Sequence, residues 1–310
     1  MRQRLVTWAY VVGWAMVRAL PEPVAAAAFR LGADFAWCRG GSGARRLAAN
    51  LRRVAGPDLD DEALRSLVRD GLRSYARYWL EVFRLPVTTP QRIVAGARTV
   101  NVEVLRAAHR AGRGVIVALP HTGNWDHAGA WAVLTGMPLT TVAERLEPTA
   151  VFDRFVAYRE GLGMEVLPLT GGPRPPFEVL AERLREGRLV CLLADRDLSE
   201  RGVEVRFFGG LTRMPAGPAL LALRTGAPLV PATLSYEGRD WGIRIHERVP
   251  VPGTGRFADK VSVMTQQVAD AFAAGIAEHP QDWHMLQRLW LDDLPTGDRH
   301  RAVQAVSEGG

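Results

Sequence analysis

With 310 residues, 47% of them hydrophobic and 23% charged, and a mean hydropathy of -0.04, the chain has enough apolar surface for one large α/β domain or two modest ones. This composition excludes a miniature scaffold, a wholly disordered chain and a polytopic membrane protein, and Cys38 and Cys191 are too few for a disulfide framework or a four-ligand zinc site. A net charge of +6 and a pI near 10.0 favour an anionic partner: nucleic acid, phospholipid head groups or a phosphorylated cofactor.

At the amino terminus Arg2 and Arg4 precede an apolar run from Leu5 to Val17, which Arg18, Pro21 and Pro23 end. The run is shorter than the roughly 20 apolar residues that span a bilayer. Trp8, Tyr10 and Trp14 between arginines fit a helix lying in the membrane interface with its rings at head-group depth. A helix docked on the domain is the alternative, and the alanines at 25–28 also give the segment the look of a cleaved secretory signal. Arg30, Arg39, Arg45, Arg46, Arg52 and Arg53 follow around a glycine turn at 40–43, forming either a solvated helix face or a basic surface for anionic lipid. Asp60 to Leu85 reads as a long amphipathic helix, with Leu64, Leu67, Val68, Leu72, Tyr75 and Trp79 on its core side. Cys38 and Cys191 are read as buried small apolar residues.

From about residue 100 the pattern alternates. Candidate strands are 115–119, 139–143, 165–169, 189–194, 229–234 and 243–246, and candidate helices lie near 123–134, 149–161, 176–187 and 215–225. Apolar strands joined by helices predict an α/β fold with a central, mostly parallel sheet covered by helices on both faces. A loose polar tail is expected over 293–310.

Ligands of such sheets bind beyond the carboxyl ends of the strands. Directly after the 115–119 strand come Pro120, His121, Thr122, Gly123, Asn124, Trp125, Asp126 and His127. An imidazole there, before a helix amino terminus, suits a general base, its ordinary pKa being near 6.5. Metal ligation by His121 and His127 is a rival reading, against which the spacing and the want of a third ligand count; a capping or core role is another. His121 and Asp126 are five residues apart, so they cannot share one face of a regular helix. Asp195, after the 189–194 strand, is better placed to orient the ring if the two strands are close. Asp126 then needs an arginine, with Arg145, Arg159 and Arg196 as candidates. Arg174 and Arg213 lie in turns, as solvated arginines or phosphate contacts; Trp125 and Trp131 are candidates for an apolar groove. The only lysine, Lys260, lies after Asp259 and before Val261, which fits neither a P-loop nor a pyridoxal enzyme. A recognition helix and an aromatic platform among the basic residues are both lacking, so nucleic acid is not expected.

His121 to Asp126 is an H-x4-D spacing. With it come the blocks PHTGNWDHAGAW (120–131), VAERL (142–146), YREGLGMEVLPLTGG (158–172), RPPFEVLAERL (174–184), RGVEVRFFGG (201–210), TRMPAGPALLA (212–222) and DWHMLQ (282–287). Together they resemble the actinobacterial phosphatidylinositol mannoside acyltransferases, relatives of the lipid A late acyltransferases. The resemblance implies one acyltransferase domain over 1–292, with an apolar and basic helical segment at the membrane interface over 1–55 and an α/β core over 100–292. It implies transfer of a palmitoyl group from palmitoyl-CoA to the 6-hydroxyl of the mannose on the inositol 2-position, without a metal or a permanently bound cofactor. In this pattern His121 is the base and the carboxylate at 195 its partner, while Asp126, Glu144 and Arg159 shape the site. Apart from the resemblance, Trp125, Arg196 and Arg213 are candidates for substrate-binding or structural roles. The expected partners are acyl-CoA, the mannosylated lipid and an anionic membrane surface, met by a monomer on the cytoplasmic face of the plasma membrane. A lipid A-type acyltransferase acting on another glycolipid, an acyl-CoA thioesterase and a lipid-transfer protein are the alternatives. In one respect the chain departs from the pattern of the mycobacterial members: residues 194–197 read Ala-Asp-Arg-Asp instead of Ala-Glu-Arg-Asp. The side chain at 195 is one methylene shorter, so contact with His121 requires a closer backbone.

Overall fold

In the computed structural model, which describes residues 12–144, 149–197 and 201–293, nine strands form a seven-stranded sheet and a separate hairpin. The strands are β1 (Ala97–Val100), β2 (Val115–Leu119), β3 (Leu139–Ala143), β4 (Glu165–Pro168), β5 (Leu189–Leu193), β6 (Val203–Phe207), β7 (Gly210–Met214), β8 (Leu229–Glu237) and β9 (Asp240–Ile245). The main sheet has the order β1-β9-β8-β2-β5-β3-β4. All its pairings are parallel except β8 with β9, a hairpin turned at Gly238. Strand β2 lies at the centre, and its five residues, Val-Ile-Val-Ala-Leu, are all buried. That continuous apolar run is what a strand covered on both faces requires.

Alternate residues of β2 feed two cores. Ile116 and Ala118 join Val190 and Leu229 under α8 (Pro176–Arg185), α9 (Gly217–Thr225) and α10 (Phe257–Glu278). Val115, Val117 and Leu119 join Leu189 and Val230 on the other face, under α5 (Val102–Arg110), α6 (Trp125–Leu134), α7 (Thr149–Gly161) and the end of α3 (Asp61–Arg84). Helices α1 (Glu22–Arg39) and α2 (Ser42–Ala55) pack on α3 around Ala33, Leu47, Leu51, Val68 and Leu72, and α4 (Pro90–Ala95) leads into β1. The predicted mostly parallel sheet and its helical layers are present.

Several expectations are corrected. Trp14 is not at head-group depth: it is 7% exposed, its ring centroid lies 5.5 Å from both Phe83 and Phe155, and its indole N–H donates to Phe83 O at 2.9 Å. A large ring next to an aromatic cluster gains more from burial than from the surface. Trp8 and Tyr10 lie outside the described residues, as does the predicted tail beyond Asp293. Cys38 is exposed, because the face of α1 that reaches the core carries Ala25 and Ala33 instead; Cys191 is partly buried. Strands β1, β6 and β7 and helices α4, α5 and α10 were not anticipated. The β6–β7 hairpin turns at Phe208 and Gly209, both at positive φ, a two-residue turn whose sequence lacks the usual Asn-Gly signature.

Candidate active site

Strands β2 and β5 are direct parallel neighbours, with Leu119 opposite Leu193, and Ala194 N–H continues the ladder to Leu119 O at 2.8 Å. Adjacent strands are about 4.8 Å apart. The residues just past their ends therefore stand side by side, and this brings a side chain as short as aspartate within reach of the ring. His121 Nδ1 is 2.6 Å from Asp195 Oδ1, and His121 N–H donates to Asp195 Oδ2 at 2.9 Å. A carboxylate only accepts, so Nδ1 carries the proton and Nε2 presents its lone pair. Nε2 has no protein partner among the described residues, and the imidazole side chain keeps 30% of its surface exposed, whereas Asp195 is wholly buried.

The electrostatics follow from this contact. Burial by itself would lower the pKa of His121, but the charge of Asp195 and its hydrogen bond outweigh burial and the opposing Arg196, so the net shift is upward. Burial would raise the carboxyl of Asp195, but His121 and the hydrogen bonds from its ring, its backbone and Trp283 hold it below the usual range. Such a pair can act as a general base, with Nε2 free to accept a proton and an ionised acid orienting the ring.

The loop between β2 and α6 has little freedom. Gly123 sits at φ +52° with its Cα against β8, where a Cβ would lie 2.9 Å from Leu234, so only glycine fits without a shift. Thr122 Oγ1 accepts from Leu234 N–H at 3.1 Å. Asn124 caps α6 by accepting from His127 N–H at 2.9 Å and donates to Glu81 at 2.7 Å. His127 stacks on Trp241 with 3.7 Å between ring centroids, and burial pushes its pKa down to about 3. The two histidines thus serve different surroundings. Among the described residues no group of three or more His, Cys, Asp or Glu side chains is placed to hold a metal ion.

Asp126 does not touch His121. It is buried in the first turn of α6, where Arg159 of α7 grips it from Nε at 2.6 Å and Nη2 at 3.2 Å, and Tyr78 O–H donates to it at 3.1 Å. The second acid of the H-x4-D spacing thus fastens α6 to α7 and α3. Of the arginines weighed for this role, Arg145 lies outside the described residues and Arg196 is turned to the cavity.

That cavity, of about 230 Å³, opens over the imidazole. Its wall includes Trp125, 5.4 Å from the His121 ring and perpendicular to it, with Arg159, Arg196 and the exposed Glu144 at its edge. Tyr75 and Trp79 of α3 line it as well, so a helix read from sequence as core also builds the site. Trp125 and Arg159 also line a second, smaller cavity of about 80 Å³ between the sheet and α6, among Val117, Leu119, Gly129, Leu139 and Met164. Trp131 belongs to this buried layer. Arg213 is elsewhere: it pairs with Glu204 across the β6–β7 hairpin at 2.9 Å. Arg174 pairs with Glu182 at 2.6 Å.

Sequence reasoning missed the segment after α10. Trp283 forms an antiparallel bridge with Thr122, its neighbour His284 donates N–H to His121 O at 2.8 Å, and Trp283 Nε1–H donates to Asp195 Oδ2 at 3.0 Å. His284 lines the cavity, and burial takes its pKa down to about 3. Residues 282–287 already stood out as a motif block, the one available signal, but no periodicity or strand end tied them to His121.

The chain belongs to the bacterial lipid A biosynthesis acyltransferase family, which it matches over residues 1–292. Among individual proteins, it is 50% identical over 296 residues to the phosphatidylinositol mannoside acyltransferase of Mycolicibacterium smegmatis, covering 94% of this chain and 93% of that one. It is 49% identical over 300 residues to the phosphatidylinositol mannoside acyltransferase of Mycobacterium tuberculosis H37Rv, covering 94% and 90% respectively.

Proposed function

We propose that the protein transfers a long-chain acyl group, palmitoyl, from acyl-CoA to the 6-hydroxyl of the mannose on the inositol 2-position of phosphatidylinositol mannosides. The observation that carries this reading is the His121–Asp195 pair, whose imidazole lines a cavity that shares Trp125 and Arg159 with an adjoining apolar one. The relatives at about half identity over nearly the full chain support the acceptor.

The steps follow from the groups. The mannose hydroxyl attacks the thioester carbonyl while its proton passes to His121 Nε2, and the imidazolium so formed is stabilised by Asp195 across the 2.6 Å contact. Such general-base assistance is worth about 10² to 10⁴ in rate. The tetrahedral oxyanion collapses by expelling the CoA thiolate, which takes up the proton held by His121, and no acyl-enzyme forms. Arg196, which has no carboxylate partner among the described residues, supplies positive charge at the cavity edge for the oxyanion or for substrate phosphate. The space of about 80 Å³ among Val117, Gly129 and Met164 starts the path of the acyl chain.

The protein works at the cytoplasmic face of the plasma membrane, bound peripherally. Among the described residues no helix is long and apolar enough to cross a membrane. Helix α1 instead exposes Val24, Leu31 and Phe35, at seven- and four-residue spacing on one side, with Phe35 beneath the Arg39 guanidinium at 5.6 Å. An apolar stripe bordered by arginine suits an anionic lipid surface.

Incubation with labelled palmitoyl-CoA, with and without mannosylated phosphatidylinositol, tests the assignment. Acceptor-dependent appearance of acylated glycolipid is the expected result. Free palmitate released at the same rate with or without acceptor would make the protein a thioesterase, and binding without turnover would make it a lipid carrier.

A further inference from the structure

Asp195 is held by more than its histidine. Two donors converge on Oδ2, the His121 backbone N–H at 2.9 Å and the Trp283 indole N–H at 3.0 Å, which leaves Oδ1 for Nδ1 of the imidazole. An indole has one N–H and no acceptor, so it can neither take a proton from the pair nor exchange roles within it. Trp283 is fully buried and lines neither cavity.

Its own position is fixed from three directions. Its ring packs edge-on against Phe207 of β6, at 5.9 Å between centroids, and against Trp290 at 6.2 Å. Its main chain bridges Thr122, flanked by Gly123 N–H to Asp282 O at 2.9 Å and His284 N–H to His121 O at 2.8 Å. Asp282 is anchored in turn by Ser74 of α3, which donates to its carboxylate at 2.7 Å, and by Tyr236 N–H of β8 at 2.9 Å. The segment is thus stitched to the same loop that carries His121, and the indole reaches behind that loop to the acid.

We propose that Trp283 is a positioning residue of the His121–Asp195 pair: its buried N–H fixes the carboxylate rotation that dedicates Oδ1 to the imidazole. This rests on the reading of His121 as the base. Losing the donor frees one restraint on the carboxylate and leaves more of its charge to face the ring. Turnover then falls while the imidazolium becomes easier to form.

The decisive variant replaces the indole of Trp283 by the isosteric benzothiophene, which keeps ring shape and packing and lacks the N–H; Trp283→Phe is the genetically encoded companion. For the benzothiophene protein kcat is expected to fall about 10- to 100-fold, the range for a hydrogen bond to a charged acceptor. KM for donor and acceptor stays within about twofold, because the ring touches neither cavity. The acid limb of kcat/KM moves to higher pH. Wild-type kcat with an unmoved acid limb, or a rise in KM at constant kcat, would overturn the proposal. His121→Ala measured in parallel separates the two readings. If it retains turnover, the base assignment itself is wrong; if it is inactive while the benzothiophene protein behaves as wild type, only the role of Trp283 fails.

Discussion

Replacing Asp195 by asparagine preserves the volume of a fully buried side chain and changes only what its two outer atoms can do. Because the His121 and Trp283 N–H groups both point at Oδ2, the amide oxygen of the new residue settles there and its NH2 occupies the place of Oδ1. An amide NH2 only donates, so the imidazole must accept at Nδ1 and carry its proton on Nε2. That is the atom required to receive the hydroxyl proton. In a serine-protease triad the corresponding wrong tautomer costs about 10⁴ in kcat. For Asp195→Asn a loss of about 10³- to 10⁴-fold in kcat is expected, or about 4 to 5.5 kcal/mol of barrier. KM for both substrates should change little, since Asp195 lines neither cavity. The assay is steady-state transfer of labelled acyl groups by protein whose thermal unfolding shows an intact fold. Activity within tenfold of wild type would refute the tautomer argument and, with it, the functional pairing of the two residues.

Arg159→Ala leaves the carboxylate of Asp126, whose side chain is 1% exposed, without its bidentate partner. Denaturant unfolding should show a loss of about 3–5 kcal/mol, the usual consequence of stranding a buried charge; a change below about 1 kcal/mol would mean that the fastening of α6 to α7 is unimportant. His127 and His284 are both pushed down to about 3, so in the unfolded chain they protonate first, near 6.5. Stability contributed by the neutral rings is complete above about 6.5 and is lost as pH falls toward about 3, at about 1.4 kcal/mol per pH unit for each ring. His121, shifted upward, acts in the opposite sense: its contribution is complete below its ordinary value and is lost as pH rises through the raised one. Urea titrations between pH 7 and 4 check this, and a flat profile would contradict it. Leu31→Asp and Phe35→Asp, both exposed on α1, should leave the unfolding midpoint unchanged while abolishing co-sedimentation with anionic phospholipid vesicles. For the wild type this binding should weaken as salt rises, since screening acts over about 8 Å at physiological ionic strength; vesicle binding by the double variant equal to wild type would remove the membrane role of that face.

The parts of this molecule that its sequence disclosed are those written as continuous local patterns. The all-apolar Val115–Leu119 run marks a central strand, and the strand-end rule then finds His121 without knowledge of strand order. Asp195 was legible as a residue at another strand end; that β5 is the immediate neighbour of β2 is a fact of topology that no local pattern carries. Choosing Arg159 over two other arginines for Asp126 depended on where α7 packs. Trp283 was harder still, because its segment is a short loop after α10 whose meaning lies wholly in contacts to residues some 90 and 160 positions earlier. Amphipathic periodicity gave the core side of α3 but not that Tyr75 and Trp79 border a cavity, since a core wall and a site wall demand the same apolar residues. Trp14 erred for a related reason: flanking arginines mimic an interfacial helix, whereas the aromatic partners at Phe83 and Phe155 are distant in sequence.

The most direct measurement is the rate at which folded His121→Ala converts labelled palmitoyl-CoA and mannosylated phosphatidylinositol into acylated glycolipid. Removing the proton acceptor should lower kcat by about 10² to 10⁴, with the remainder independent of pH across the range where the wild type loses activity on acidification. Turnover within tenfold of wild type, still falling with acid along the same curve, would show that another group takes the proton.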